Sequence, residues 1–203
     1  MLPEPMTIRA RVWYAAGLMH HTADNQSPGE VPAPASSLPD VIATGLSVLF
    51  CGINPGVKAA AQGHHFIGRG NRFWRVMHLS GFTPSLMSAQ DDRTLLDHRC
   101  GLTTAVARPT ARADQLDGSE FTAAAASLEA KVKAYAPDYL AFLGKAAFSA
   151  IARQKEVQWG LQPSRWGGAR VWVLPNPSGL NRGFSLDELV TAYSELRKAV
   201  DAG

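Results

Sequence analysis

The chain has 203 residues, of which 46% are hydrophobic and 18% charged, a balance typical of a globular protein with one substantial core. Its two cysteines, Cys51 and Cys100, are too few for a disulfide-built secreted protein or for an unaided zinc or iron–sulfur site. Because nothing indicates a disulfide-built secreted protein, we expect a cytoplasmic protein, and we expect no metal ion or other cofactor. No apolar stretch is long enough to cross a membrane.

The net charge of +3 says little about partners, but the sequence has 14 arginines and only 6 lysines. Arginine can bind phosphate through two parallel hydrogen bonds. Several arginines lie in stretches that contain glycine or proline, namely Arg69, Arg72, Arg108, Arg112, Arg165 and Arg182. They either contact phosphate or form an ordinary solvated surface.

The N-terminal part of the chain differs in composition from the rest. Six of the 13 prolines lie within residues 1–40, and residues 26–40 show no hydrophobic periodicity. We predict a partly disordered N-terminal extension over residues 1–44 and a single domain over residues 45–203.

The first predicted strand ends in a polar turn. Val48–Phe50 is an apolar run that is too short for a buried helix and is soon followed by Gly52, which favours a buried strand. Asn54-Pro55-Gly56 then forms a turn, because proline fixes φ and glycine tolerates positive φ. The Asn54 amide is either part of an ordinary turn or a ligand-binding group, since ligands bind at the carboxyl ends of strands in open α/β sheets.

Strands and helices alternate along the rest of the chain. A glycine-rich loop over residues 57–70 is followed by predicted helices over residues 71–81, 91–98, 119–135, 145–154 and 185–200, and by predicted strands over residues 101–106, 139–143 and 170–174. The alternation predicts a three-layer α/β/α domain with a central, mainly parallel sheet. Right-handed crossovers then bring the loops after the first and last strands to one cleft at the carboxyl ends of the strands.

The loop after the last predicted strand has the sequence Asn176-Pro-Ser-Gly-Leu-Asn-Arg182. Leu180 is its only large apolar residue, and it either packs back into the core or is exposed as a wedge. An apolar side chain beside an arginine on a stiff polar loop is suited to entering a stack of nucleic-acid bases while the arginine binds phosphate.

Several short stretches are each a weak signal, but their combined order and spacing are specific to one family of proteins. They are Gly52-Ile-Asn-Pro-Gly56, Phe66, Asn71-Arg-Phe-Trp74, Leu95-Leu-Asp-His-Arg-Cys-Gly101, Leu143-Gly-Lys145, Gln158-Trp-Gly160 and Val173-Leu-Pro-Asn-Pro-Ser-Gly-Leu180. From about Leu46 to Val200, the chain closely resembles the mismatch-specific uracil/thymine DNA glycosylases, a branch of the uracil-DNA glycosylase superfamily.

The resemblance implies a monofunctional, base-flipping enzyme of base excision repair. It would hydrolyse the N-glycosidic bond of uracil, or of thymine or another modified pyrimidine, mispaired with guanine. The implied partner is double-stranded DNA with G:U or G:T mismatches, and we expect a monomer. By motif, Asn54 positions the attacking water, Phe66 stacks on the flipped base, and backbone N–H groups near Ile53 and Phe66 bind the carbonyl oxygens of the base. The resemblance also implies that Gly179, Leu180 and Arg182 fill the vacated stack and contact the opposite strand or backbone, that Asn176 holds this loop near the cleaved nucleotide, and that Ser178 belongs to the same DNA-binding set.

The chemistry of an amide limits these roles. A neutral amide has no useful proton-accepting capacity, so Asn54 cannot be a strong general base. We therefore expect a slow, largely dissociative reaction that depends on the leaving group and prefers uracil to thymine. Asp91 and Asp92 either cap a helix or, if they lie beside the cleft, supply the missing base. Ala59 either packs in the core or leaves room for a C5 substituent of the base.

Other classes of function fit the sequence less well. A non-catalytic DNA mismatch-binding module would keep the arginines and the wedge but release no base. Gly68-Arg69-Gly70 is the best evidence for a nucleotide-binding or nucleoside-hydrolysing enzyme, but no complete phosphate-binding glycine motif follows a strand. His64 and His65 are adjacent and there is no His-Glu-x-x-His motif, which disfavours a metal hydrolase. The Gly-x-Ser-x-Gly motif of serine hydrolases is missing.

Overall fold

The computed structural model of the protein describes residues 37–203. The strands are β1 (Val48–Gly52), β2 (Cys100–Thr104), β3 (Tyr139–Leu143), β4 (Gly160–Trp166) and β5 (Ala169–Leu174). The α-helices are α1 (Val57–Gln62), α2 (Phe73–Leu79), α3 (Gly118–Tyr135), α4 (Lys145–Ala152) and α5 (Leu186–Asp201), and 3₁₀ helices span Ala89–His98 and Ala113–Gln115. Predictions that fall on residues 1–36 lie outside the described residues.

The five strands form one sheet in the order β2-β1-β3-β5-β4. β1 pairs in parallel with β2 and β3, and β3 pairs in parallel with β5, whereas β4 runs antiparallel to β5 at the edge. The carboxyl ends of the four parallel strands therefore lie at one edge of the sheet. The predicted α/β fold with a mainly parallel central sheet is confirmed.

β1 shows how the sheet separates two hydrophobic cores. Val48 and Phe50 belong to the core that contains residues of α2 and α5, whereas Leu49 and Cys51 belong to the core that contains residues of α3 and α4. This follows from the alternation of side chains between the two faces of a strand. Helices thus cover both faces, as the three-layer prediction requires. Burial raises the pKa of the Cys51 thiol to about 12, which makes this thiol an unreactive part of the core.

The loop predicted over residues 57–70 contains helix α1, so that part of the prediction is wrong. The run Lys58-Ala-Ala-Ala61 is made of strong helix formers, and Gly63 ends the helix in the left-handed conformation with a φ of 72°. The helix has only six residues and lies between Gly56 and Gly63, so the sequence pattern of this region is dominated by glycine and predicts a loop. The helix predicted over residues 91–98 is a 3₁₀ helix that begins at Ala89.

β4 is an edge strand and is not among the predicted strands. Pro163 and several exposed polar residues argue against a central strand, but proline is tolerated at a sheet edge. The register shifts between Leu161 and Arg165, around this proline. Gly167-Gly168, which joins β4 to β5, is a hairpin signal from which the strand could have been predicted.

Residues ahead of Gly45, where the single domain is predicted to begin, also pack on the sheet. Leu38 and Val41 are buried. Val41 exchanges two backbone hydrogen bonds with Leu102 of β2, at 2.9 and 2.7 Å. Asp40 forms an ion pair with Lys131 of α3. Within residues 37–203, no helix is both long and apolar enough to cross a bilayer.

Candidate active site

A cleft of about 510 Å³ lies at the carboxyl ends of the parallel strands. Residues at or beyond the ends of β1, β2, β3 and β5 contribute to its lining, as the topology predicts. The predicted site residues that line it are Ile53, Asn54, Ala59, Phe66, Asn176, Ser178 and Leu180. Folding therefore brings the loops after the first and last strands to one cavity.

Hydrogen bonds fix the side-chain amide of Asn54. Its Nδ2 donates to the Arg108 carbonyl oxygen at 2.9 Å and to Thr110 Oγ1 at 2.7 Å. The Thr110 hydroxyl donates its own proton to the Arg112 carbonyl oxygen at 2.8 Å, so its oxygen can only accept from Asn54. Because both partners are acceptors, the nitrogen of the amide must lie on this side. Oδ1 receives no hydrogen bond from residues 37–203 and is left to accept one in the cleft.

The loop that holds Asn54 is itself fixed from two sides. The Thr110 N–H donates to the Pro55 carbonyl oxygen at 3.0 Å. The Arg108 guanidinium forms a two-point ion pair with Glu120 at 2.8 and 2.7 Å, and this hydrogen bonding lowers the pKa of Glu120 to about 2. Glu120 therefore stays ionised at neutral pH. Thr110 is not among the residues predicted from the sequence, although a turn at Pro109, three residues after a predicted strand, could have placed it at this edge.

Phe66 contributes to the cleft and is supported by a second aromatic ring. It stacks on Phe73 of α2, with ring centroids 4.0 Å apart and planes 20° apart. Its φ of 54° lies in the left-handed region, which is costly for a bulky residue and persists only where neighbouring contacts hold it. The adjacent residue supplies such contacts: the His65 N–H donates to Asp92 Oδ2 at 3.0 Å, and its ring nitrogen Nε2 lies 2.9 Å from the Pro39 carbonyl oxygen.

The structure does not bring Asp91 or Asp92 into the cleft. Asp91 caps the 3₁₀ helix, where hydrogen bonds from the Ser88 hydroxyl and backbone N–H lower its carboxyl pKa. Asp92 is only 3% exposed and lies behind the Phe66 segment, where it accepts from His65 and approaches His64 Nδ1 at 3.5 Å. Neither carboxylate lines the cavity, so the geometry does not support a general-base role for either one.

The loop Asn176–Arg182 presents Leu180 to solvent. Leu180 is 82% exposed, so the alternative in which it packs into the core is wrong. Short-range hydrogen bonds stiffen the loop: Asn176 Oδ1 accepts from Ser178 N–H at 2.9 Å, and the Asn176 carbonyl oxygen accepts from Asn181 Nδ2 at 2.9 Å. An exposed leucine is thus held on a rigid polar loop at the rim of the cleft, with Arg182 also exposed.

Two glycines bring this loop against the segment before α2. A Cβ atom on Gly179 would lie 2.8 Å from the carbonyl carbon of Gly70 and closer still to its oxygen. Only glycine fits at position 179, because the two backbones are in direct contact. The contact joins the loop with Leu180 to the segment that follows Phe66.

The six arginines that lie near glycine or proline in the sequence differ in their surroundings, and four of them have partners within the protein. Arg108 pairs with Glu120 and Arg112 with Asp114. Arg72 donates to backbone carbonyl oxygens of the loop after β5, and Arg165 donates to the Gly168 carbonyl oxygen. Among residues 37–203, no hydrogen-bond or ion-pair partner is found for Arg69 or Arg182, and both are exposed.

The described residues contain no arrangement of three or more His, Cys, Asp or Glu side chains that could hold a metal ion. The cleft is lined by amide, hydroxyl, aliphatic and aromatic groups and by the basic side chains of Lys58, His65 and Arg112, with no Asp or Glu side chain among its lining residues. Such a lining can bind a planar, uncharged ring and position a water molecule, but it offers no carboxylate to that water.

Comparison with known proteins agrees with this description. The fold is shared with a protein from Methanosarcina acetivorans, whose solution NMR structure is described as that of a "putative Uracil DNA glycosylase". The match has a TM-score of 0.53 and 22% sequence identity, and it covers 80% of this chain and 98% of that chain. Residues 39–197 match the family model of the uracil DNA glycosylase superfamily, a span that includes every residue lining the cleft except Leu38. The chain therefore belongs to the uracil DNA glycosylase superfamily.

Proposed function

We propose that the protein is a monofunctional DNA glycosylase that excises uracil mispaired with guanine. Superfamily membership supports hydrolysis of an N-glycosidic bond in DNA. The observation that carries the finer proposal is the amide of Asn54, whose nitrogen is fixed and whose oxygen is left for a ligand in a cavity shared with Phe66 and Leu180. The enzyme would act as a monomer on double-stranded DNA in the cytoplasm, where its buried cysteines stay reduced.

Each loop then has a part in flipping and holding the base. The glycosidic bond is hidden in a duplex, so the nucleotide must leave the stack. Leu180 would fill the gap, while Arg182 and the polar groups of Asn176, Ser178 and Gly179 contact the DNA backbone or the opposite strand. The flipped base would stack on Phe66, and backbone N–H groups at Ile53 and Phe66 would bind its carbonyl oxygens.

The bond would break before the water attacks. Asn54 Oδ1 can accept a hydrogen bond from water and hold it beside the sugar, but it cannot take up the proton. Cleavage therefore breaks the C–N bond to give an oxocarbenium-like sugar and a departing base anion. Water then forms the new C–O bond, and its proton passes to the base anion or to solvent. Donors fixed at the developing anion are worth roughly 10²–10³ in rate each. The reaction is slow and favours good leaving groups, with uracil ahead of thymine.

Ala59 bears on which bases fit. It is buried in α1 and lines the cleft close to Asn54 in sequence. Its small side chain would leave room for a substituent on C5 of the base. We therefore propose that thymine and other modified pyrimidines enter the site, and that leaving-group quality decides the order of their rates.

The first test uses duplexes with one G·U, A·U or G·T pair and single-stranded uracil DNA. The purified chain is incubated with each substrate in EDTA, and abasic sites are then cleaved with alkali. We expect abasic product from G·U fastest and from G·T more slowly. No abasic product from any substrate would refute the glycosylase proposal, and retained salt-dependent binding would then indicate a mismatch-binding module. Hydrolysis of free nucleosides would indicate a nucleoside hydrolase.

Asp91 and Asp92 form a natural matched pair for a second test. Asp91→Ala is expected to keep the wild-type single-turnover rate on a G·U duplex and to lower the melting temperature slightly, because only a helix cap is lost. Asp92→Ala is expected to lower that rate about tenfold, because His65 and the Phe66 segment lose an anchor.

Asp92→Asn separates anchoring from proton transfer. An amide oxygen still accepts from the His65 N–H, so we expect a rate within about twofold of wild type if the carboxylate only holds the loop. A loss in Asp92→Asn as large as in Asp92→Ala would instead support a role for the negative charge. Rates of excision at saturating enzyme, measured from pH 5 to 9, distinguish the two cases.

A further inference from the structure

The guanidinium of Arg72 donates hydrogen bonds to several backbone carbonyl groups in and after the loop that contains Leu180. Arg72 Nη1 donates to the Phe184 carbonyl oxygen at 2.6 Å, and Nη2 donates to the carbonyl oxygens of Asn181 at 2.8 Å and Ser178 at 3.1 Å. The Arg72 backbone N–H donates to the Pro177 carbonyl oxygen at 3.0 Å. Among residues 37–203, no carboxylate pairs with this guanidinium. The charge is therefore satisfied by the loop backbone rather than by an acidic side chain.

This arrangement adds to the loop's own hydrogen bonds a link to the segment before α2. The loop is made of Pro, Ser, Gly, Leu, Asn and Arg, and each residue held in one backbone conformation costs roughly 1–2 kcal/mol of conformational entropy. Arginine presents five donors in a planar fork, so one side chain can satisfy several carbonyl groups at once. The conformational entropy of the Leu180 loop is therefore lost when the protein folds, and binding to DNA does not have to order the loop.

The same segment also supports the other side of the cleft. Phe73 follows Arg72 directly, and its ring stacks against the ring of Phe66. Gly70 lies two residues before Arg72 and contacts Gly179. Residues 70–73 therefore contact both the loop with Leu180 and the residue proposed to stack on the base.

We propose that Arg72 is a positioning residue for base flipping, which holds the Leu180 loop in its working conformation before DNA binds. The inference rests on the proposed function, since it assumes that Leu180 replaces the flipped base. Arg72 itself does not contact DNA, because its donors are directed at backbone carbonyl groups. Its effect passes through Leu180, and this distinguishes it from an arginine that binds phosphate.

A double-mutant cycle between Arg72 and Leu180 tests this coupling. We expect Arg72→Gln and Leu180→Ala each to lower the single-turnover rate on a G·U duplex about 10- to 100-fold. If Arg72 acts through Leu180, the double variant loses no more than about twofold beyond the slower single variant. Losses that multiply, or a wild-type rate in Arg72→Gln, would overturn the inference. Arg75→Gln is the matched control, because Arg75 is exposed on α2.

A direct measurement of flipping keeps the test independent of cleavage. The probe is a G·U duplex with 2-aminopurine beside a 2′-fluorinated deoxyuridine, which resists hydrolysis. We expect the wild-type protein to raise 2-aminopurine fluorescence and Arg72→Gln to raise it much less, with affinity for undamaged duplex within about threefold of wild type. Equal fluorescence in both proteins would contradict the inference. Arg72→Lys, which keeps the charge, serves if Arg72→Gln does not fold by circular dichroism.

These outcomes separate the inference from the proposed function. If the wild-type protein flips the probe but yields no abasic product from normal substrates, the glycosylase proposal fails and the role of Arg72 is still measured by fluorescence. If the wild-type protein cleaves G·U normally and Arg72→Gln does so too, the proposed function stands and the positioning role is overturned.

Discussion

Replacing Asn54 by alanine is expected to lower the single-turnover rate of uracil excision from a G·U duplex about 10²- to 10³-fold. The variant keeps the cleft, Phe66 and the loop with Leu180, but nothing holds the water beside the sugar. Binding to an uncleavable G·U duplex should stay within a few-fold of wild type, because the contacts proposed for DNA lie on other residues. The measurement is a single-turnover time course at saturating enzyme, with binding followed by fluorescence anisotropy.

The hydrogen bonds around Asn54 predict a less obvious result for Asn54→Asp. A carboxylate is a better water activator than an amide, but here it would face the Arg108 carbonyl oxygen and Thr110 Oγ1, which both accept hydrogen bonds from Nδ2. The new carboxylate would be repelled or would take up a proton to donate. We therefore expect Asn54→Asp to excise uracil no faster than wild type at pH 7, and to melt at a lower temperature.

Thr110 supplies the control for this interpretation. Thr110→Ser keeps the hydroxyl that accepts from Asn54 and should excise uracil at a nearly wild-type rate. Thr110→Val removes this acceptor and is expected to be slower by about tenfold, because the amide is then held by the Arg108 carbonyl oxygen without Thr110. A rate in Asn54→Asp well above wild type would show that the acceptor groups adjust easily, and the proposed rigidity of the amide would be wrong.

Replacing Gly179 by alanine is expected to have an effect of similar size for a different reason. The new Cβ atom would overlap the Gly70 carbonyl group, so the loop must move away from the segment before α2. A displacement of about 1 Å in a residue that orients the substrate can cost 10²-fold in rate. We expect a loss of this order on a G·U duplex, with a small change in melting temperature because Gly179 is exposed.

Gly183→Ala is the matched control in the same loop region. A Cβ atom there would meet only Asn181 Oδ1, at 3.4 Å, which a side-chain movement relieves. The rate of this variant should stay within about threefold of wild type. Equal losses in the two variants would mean that any added methyl group disturbs the loop, and the backbone contact with Gly70 would have no special role.

The sequence predicts the parts of this site that depend on local pattern. A short apolar run followed by Asn-Pro-Gly is sufficient to place Asn54 at the end of a strand, and the alternation of elements places the second Asn-Pro loop beside it. The fold follows from the same alternation. The resemblance to a known family adds roles for the two loops as expectations, and the match over residues 39–197 shows membership of the uracil DNA glycosylase superfamily.

The parts that sequence cannot supply depend on contacts between distant segments. Nothing local indicates that Arg108 and Thr110 bind the amide of a residue more than fifty positions earlier. Asp92 is suited by type to proton transfer, yet folding places it behind the Phe66 segment. Arg72 is suited by type to phosphate, yet its donors are taken by carbonyl groups of a loop more than one hundred positions later. In each case the residue type suggests one role, and the position of the residue in the fold gives it another.

In the proposed function, the contact between Gly70 and Gly179 bears on how mispairs are told apart. Because the two sides of the cleft are joined before any DNA arrives, the deformation on binding must fall on the duplex. A pair that opens at little cost reaches the cleft more often than a well-stacked one. Excision should then follow the ease with which each sequence context opens, so that flexible pyrimidine–purine steps yield their uracil sooner than stiff ones, even where the protein touches no neighbouring base.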